Sequence, residues 1–99
     1  MGLIALAQDD FCVRILDIAS RKIIRKFKHS ASIMDLSWSP DSRWITVSTM
    51  DRIVRTWDIA TGFEIHRFKT KEQVTSLDWS QDSRWLATSH ANSPGIYLW

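Results

Sequence analysis

Adjacent carboxylates at Asp9 and Asp10 are the kind of pair that acid–base chemistry could use, and three histidines with one cysteine, Cys12, are potential ligands or nucleophiles. Their spacing supports neither use. Neighbouring residues on a turn point apart, and no partner acid, base or nucleophile is recognisable for Asp9 and Asp10. His29, His66 and His90 fall on different segments and only one thiol is present, so no zinc site is expected. The three glycines, Gly2, Gly62 and Gly95, form no phosphate-cradling loop, and Asn92-Ser93-Pro94 is not a glycosylation acceptor. The expectation is a non-enzyme with no catalytic residue, cofactor, metal or small-molecule substrate.

What recurs at fixed spacing is a set of tryptophans with polar residues around them. Trp38 and Trp79, Asp41 and Asp82, Arg43 and Arg84, and Trp44 and Trp85 are each 41 residues apart. The same step backwards takes Asp58 to Asp17, Arg55 to Arg14, Phe68 to Phe27 and Lys69 to Lys28. A period near 41 whose apolar run ends in Trp57-Asp58 resembles the WD-repeat β-propeller blade, a four-stranded unit of about 40 to 45 residues.

Short strands between turn residues are expected throughout, with no helix-period pattern, which makes the chain all-β. Strands are predicted over 3–7, 11–18, 22–28, 32–39, 44–49, 53–59, 63–69, 74–80, 86–89 and 95–99. They divide into a partial blade at 1–29 (strands two to four), a complete blade at 30–70 and a partial blade at 71–99 (strands one to three). About three repeats are needed to bury a blade's faces, so this incomplete propeller segment is expected to be a piece of a longer protein or to associate.

In WD-repeat blades a histidine, a serine or threonine, an aspartate and the tryptophan can join in a buried hydrogen-bond chain that fixes a turn. The matching residues of the complete blade are His29, Val47, Asp51 and Trp57, and valine cannot take part. The last blade offers Thr70, Thr88, Asn92 and Trp99. These networks are read as structural.

The six tryptophans could stack bases, but their pairing by the repeat favours packing between blades. Arg21, Lys22, Arg25, Lys26 and Lys28 concentrate charge on one predicted outer strand. They suit RNA phosphates or an acidic partner, or they protect an exposed edge from chance pairing. The net charge of +2 is too small to indicate a dedicated nucleic-acid binder. One cysteine excludes an internal disulfide, and no apolar run is long enough to span a membrane, so a soluble intracellular chain is expected.

The segments GLIALAQDDFCVRILDI, RKIIRKF, SPDSRW, RTWDIATG and LATSHANSPGIYLW together resemble the second-propeller region of the tandem-propeller WD-repeat subunit of UTP-B, part of the small-subunit processome built on the U3 small nucleolar RNP. The likeness covers residues 2–99, and Lys28-His29 stands where a Gly-His pair is usual. It implies a nucleolar scaffold needed for processing pre-rRNA to 18S rRNA. It also implies other UTP-B and processome proteins as partners, U3 RNA and pre-rRNA nearby, and no membrane. The alternative is an adaptor of another assembly, such as a ubiquitin ligase or signalling complex. Contacts are expected from the blade-face turns Asp41, Ser42, Arg43, Asp82, Ser83 and Arg84, and from the basic edge. Arg43 and Arg84 could instead pair with Asp41 and Asp82, at about 0 to 1 kcal/mol each.

Overall fold

The computed structural model describes residues 2–91 and 93–99, leaving the side chains of Ser93 and Pro94 outside the description. Its strands are β1 (Leu3–Ala7), β2 (Cys12–Asp17), β3 (Lys22–Lys28), β4 (Ile33–Trp38), β5 (Trp44–Thr49), β6 (Ile53–Asp58), β7 (Glu64–Lys69), β8 (Val74–Trp79), β9 (Leu86–His90) and β10 (Ser93–Leu98). They form three antiparallel sheets, β1-β2-β3, β4-β5-β6-β7 and β8-β9-β10. No helix occurs among the described residues.

The expected strand ends differ from the observed ones by a residue or two, because turn hydrogen bonds claim the flanking positions. The last strand differs most. It begins at Ser93, not Gly95, its register shifts between Ser93 and Ile96, and Trp99 lies beyond it, still bonded to Leu86 through both backbone groups.

The period is visible in the backbone as well as in the residue types. Left-handed φ recurs at Phe11 (65°) and Arg52 (66°), at Ser42 (60°) and Ser83 (61°), and at Arg21 (57°) and Gly62 (76°). Each pair is one 41-residue step apart, so the same turns are rebuilt whether or not glycine is available.

Apolar side chains of neighbouring sheets meet across each boundary. Val13, Ile15 and Phe27 of the first sheet meet Ile45, Val47 and Ile59 of the second in one buried cluster. Val54 of the second sheet meets Val74, Leu77 and Leu86 of the third in another. The repeat-related tryptophans flank these clusters: Trp38 and Trp57 pack on the first and Trp79 on the second. Trp85 and Trp99 are exceptions at 50% and 46% exposed.

Candidate interaction site

His29 follows β3 and is 4% exposed. Its Nε2 accepts the indole N–H of Trp57 at 3.1 Å, linking the first sheet to the second. Val47, at the position expected to carry a hydroxyl, lies wholly in the apolar core. Asp51 does not join this link: Ser30 donates to it at 2.6 Å, Thr49 donates to it, and Arg55 stands 4.0 Å away. Burial pushes the Asp51 carboxyl up, but those hydroxyls and Arg55 together hold it below the ordinary range. The guanidinium of Arg55, itself 7% exposed, also lies 3.8 Å from Glu64.

The last blade solves the same problem with different residues. Trp99 donates to Thr88 Oγ1 at 2.9 Å, and Thr88 meets His90 Nε2 at 2.8 Å. His90 Nδ1 lies 3.1 Å from the Glu72 carbonyl, which can only accept, so the ring proton sits on Nδ1 and Thr88 donates to Nε2. Thr70, the counterpart of His29, donates to the Glu72 carbonyl at 2.7 Å instead. Asn92 lies outside the described residues.

In the sequence His90 shows only the absence of metal-ligand spacing, and its bonds to Thr88 and Glu72 depend on the fold. Ser30, Thr49, Arg55 and Glu64 were missed as well. One signal was available: Asp10–Arg14 and Asp51–Arg55 are both four-residue pairs, one repeat apart. In the first sheet that pair is close, at 2.7 Å, and the guanidinium holds the Asp10 carboxyl down to about 2.

The blade-face turns have a defined construction. Asp41 accepts the Ser39 hydroxyl at 2.7 Å and the Arg43 amide at 3.1 Å, and Asp82 repeats this with Ser80 at 2.6 Å and Arg84 at 3.1 Å. The hydroxyl bonds are the main cause holding both carboxyls below the ordinary range. The aspartates therefore shape their turns through backbone amides, and the ion pairs anticipated with Arg43 and Arg84 do not occur among the described residues. Arg43 lies over the Trp44 ring at 5.4 Å. Ser42 and Ser83 are half-buried, and Arg43 and Arg84 are exposed on one face of the stack.

Of the basic edge, Arg21, Lys22, Lys26 and Lys28 are exposed. Arg25 is committed elsewhere: its guanidinium donates to the carbonyls of Ile59 at 2.8 Å and Ala60 at 2.6 Å in the second sheet. Arg25, Arg43, Asp17, Asp41 and Ile59 line a cleft of about 590 Å³ between these sheets.

Among the described residues, no group of three or more His, Cys, Asp or Glu is placed to hold a metal ion. No helix among them is long and apolar enough to cross a membrane.

A complete four-stranded meander stacked between two three-stranded ones, in 41-residue register and joined by the indole bonds of Trp57 to His29 and Trp79 to Thr46, defines a segment of a WD-repeat β-propeller. The chain belongs to the family described as the WDR36/Utp21 second beta-propeller domain, which matches residues 1–99. It is 42% identical over 99 residues to human WD repeat-containing protein 36, covering 99% of this chain and 11% of that one. It is 39% identical over 98 residues to the U3 small nucleolar RNA-associated protein 21 homolog of Schizosaccharomyces pombe (strain 972 / ATCC 24843), covering 98% and 11%. The chain thus spans about a ninth of the length of either relative.

Proposed function

We propose that this chain is a blade segment of a non-catalytic scaffold subunit of the small-subunit processome, acting in the nucleolus in processing pre-rRNA to 18S rRNA. Its blades are residues 1–29, 30–70 and 71–99. Other UTP-B and processome proteins are its partners, with U3 RNA and pre-rRNA close by. The observation that carries this reading is the family match across the whole chain, together with a relative whose name associates it with U3 RNA. The geometry suits the role, since the Trp57–His29 and Leu77–Asp35 bonds join neighbouring sheets while charged groups stay exposed on the turns and on β3.

The test is affinity purification of the protein carrying this chain from its own cells, with U3 RNA quantified against an unrelated small nuclear RNA. Enrichment that survives moderate salt is expected, because protein contacts are less salt-sensitive than phosphate contacts. Absence of U3 from an intact complex holding other partners would reduce the role to that of a general WD-repeat adaptor.

A further inference from the structure

Two outer strands occupy the same place in consecutive blades but differ in charge. Residues 21–28 carry Arg21, Lys22, Arg25, Lys26 and Lys28 with no acid among them. On β7 the one acid, Glu64, forks Arg67 at 2.6 and 2.9 Å, which leaves Lys69 as the remaining lysine of that strand. Protection against chance strand pairing is needed equally at both edges. It therefore explains a lysine on either strand, but not the concentration on β3.

The basic strip stays at the surface when a blade is stacked beside it. Lys26 corresponds to Arg67 one repeat later, and Arg67 keeps 56% of its side chain exposed although the first sheet already packs on its own. Lys22 and Ile24 correspond to Phe63 and Ile65, which are 71% and 45% exposed in the same covered blade. Stacking thus leaves these positions free, and Glu64, the counterpart of Ile23, keeps 23% of its side chain exposed.

The strip is also built for a polypeptide. β3 ends its sheet, so one side of its backbone has no neighbouring strand among the described residues, and Ile23 and Ile24 beside the lysines are 53% and 42% exposed. We propose that β3 is a docking edge for an extended acidic segment of a partner protein. That segment adds to the sheet through its backbone, sets carboxylates against Lys22, Lys26 and Lys28, and covers Ile23 and Ile24. Main-chain pairing supplies affinity and alternate side chains supply specificity. A nucleic acid would use the cations but neither the isoleucines nor the backbone edge. The strand's single aromatic, Phe27, is 3% exposed and stacked on Trp57 at 4.6 Å, so no base can lie on it.

This inference rests on the scaffold reading, and its test separates the two. The intact protein is titrated, by fluorescence anisotropy, with a labelled peptide of about ten residues alternating glutamate and valine. Controls are the same peptide with alternate amides N-methylated, and an oligouridylate of equal length. The expected result is saturable peptide binding that weakens about tenfold or more in the triple variant Lys22→Glu, Lys26→Glu, Lys28→Glu. The Arg67→Glu, Lys69→Glu variant of β7 keeps full affinity, and N-methylation abolishes binding. Undiminished binding of the N-methylated peptide, equal loss in the β7 variant, or tighter binding of the oligouridylate through the same lysines would overturn it. Failure of the native protein to bind the peptide, with U3 RNA still recovered in the purification above, would defeat this inference and leave the scaffold reading standing.

Discussion

The indole N–H of Trp57 reaches across a sheet boundary to His29 Nε2 at 3.1 Å, while His29 Nδ1 is buried with no hydrogen-bond partner among the described residues. The acceptor and the aromatic packing of Trp57 are thus supplied from the preceding sheet, since Phe27 stacks on the same indole. Replacing His29 by Ala leaves a half-buried indole N–H unpaired at the joint. The expected cost is about 1 to 3 kcal/mol, read as a lower urea midpoint of the intact propeller with an unchanged slope. An unchanged midpoint would show that the bond is structurally idle.

Acid should loosen the same joint. Burial is the main cause holding His29 below its ordinary value of 6.5, the Arg55 charge adds to it, and the carbonyls of Phe11 and Phe27 oppose it. The unfolded chain therefore binds a proton at a higher pH than the folded one. Stability is complete above about pH 6.5 and falls as pH drops from there toward the depressed folded value. In thermal melts between about pH 7.5 and 5, the His29→Gln variant should show a flatter dependence than the native protein. Parallel curves would assign the effect to other groups.

Arg25 is the second link across that boundary, with two donors on consecutive carbonyls of a turn. Arg25→Ala is expected to cost about 1.5 to 3 kcal/mol, because each bond is charge-assisted and part of the site is shielded from water. Arg25→Lys should recover only part of this, since an ammonium lacks the planar fork that spans both oxygens. Hydrogen exchange at Gly62, whose amide closes the turn on Asp58, reports the loosening locally.

How far the sequence reveals such links depends on whether the linking residues obey the repeat. The 41-residue step locates the strands, the turns and the inward faces because each blade must present the same apolar positions to its neighbours, as Val13 and Val54 do. Networks that differ from blade to blade leave no such trace. Thr88 occupies the hydroxyl position that Val47 lacks and takes the Trp99 indole N–H itself, with His90 behind it, whereas Trp57 gives its N–H directly to His29 of the preceding sheet. Arg25 is indistinguishable in sequence from the lysines around it, although the fold alone places it beside two free carbonyls. A long side chain's partner is set by tertiary approach over 34 and 35 intervening positions, which no local pattern encodes.

Thr88 tests whether the last blade depends on its substitute network. It is 1% exposed and stands between the Trp99 indole and His90. Thr88→Val keeps the shape and removes the hydroxyl, which strands a donor and an acceptor together, for an expected loss of about 1 to 3 kcal/mol. Thr88→Ser keeps the hydroxyl and should lie closer to the native protein. Equal stability of the valine and native proteins would mean that packing of Trp99 on Phe68, at 4.4 Å, carries the joint without the bonds.

Asp35 carries the corresponding joint between the inner strands of the second and third sheets. Its carboxylate accepts the backbone amide of Leu77 at 2.8 Å, and Leu77 is 7% exposed within the second apolar cluster. One repeat later the position is Ser76, whose hydroxyl lies 2.5 Å from that of Ser89 within its own sheet, so the carboxylate is not repeated there. Removing the carboxylate in Asp35→Ala leaves the Leu77 amide without its partner at a nearly dry interface, at an expected cost of about 1 to 3 kcal/mol. Asp35→Asn retains an acceptor oxygen and loses only the charge assistance, so it should fall between the two. The discriminating measurement is amide hydrogen exchange at Leu77: acceleration in the alanine variant, with Val54 unaffected, places the loss at the inner-strand joint. Uniform acceleration across both sheets would show that the whole stack, and not this bond, had given way.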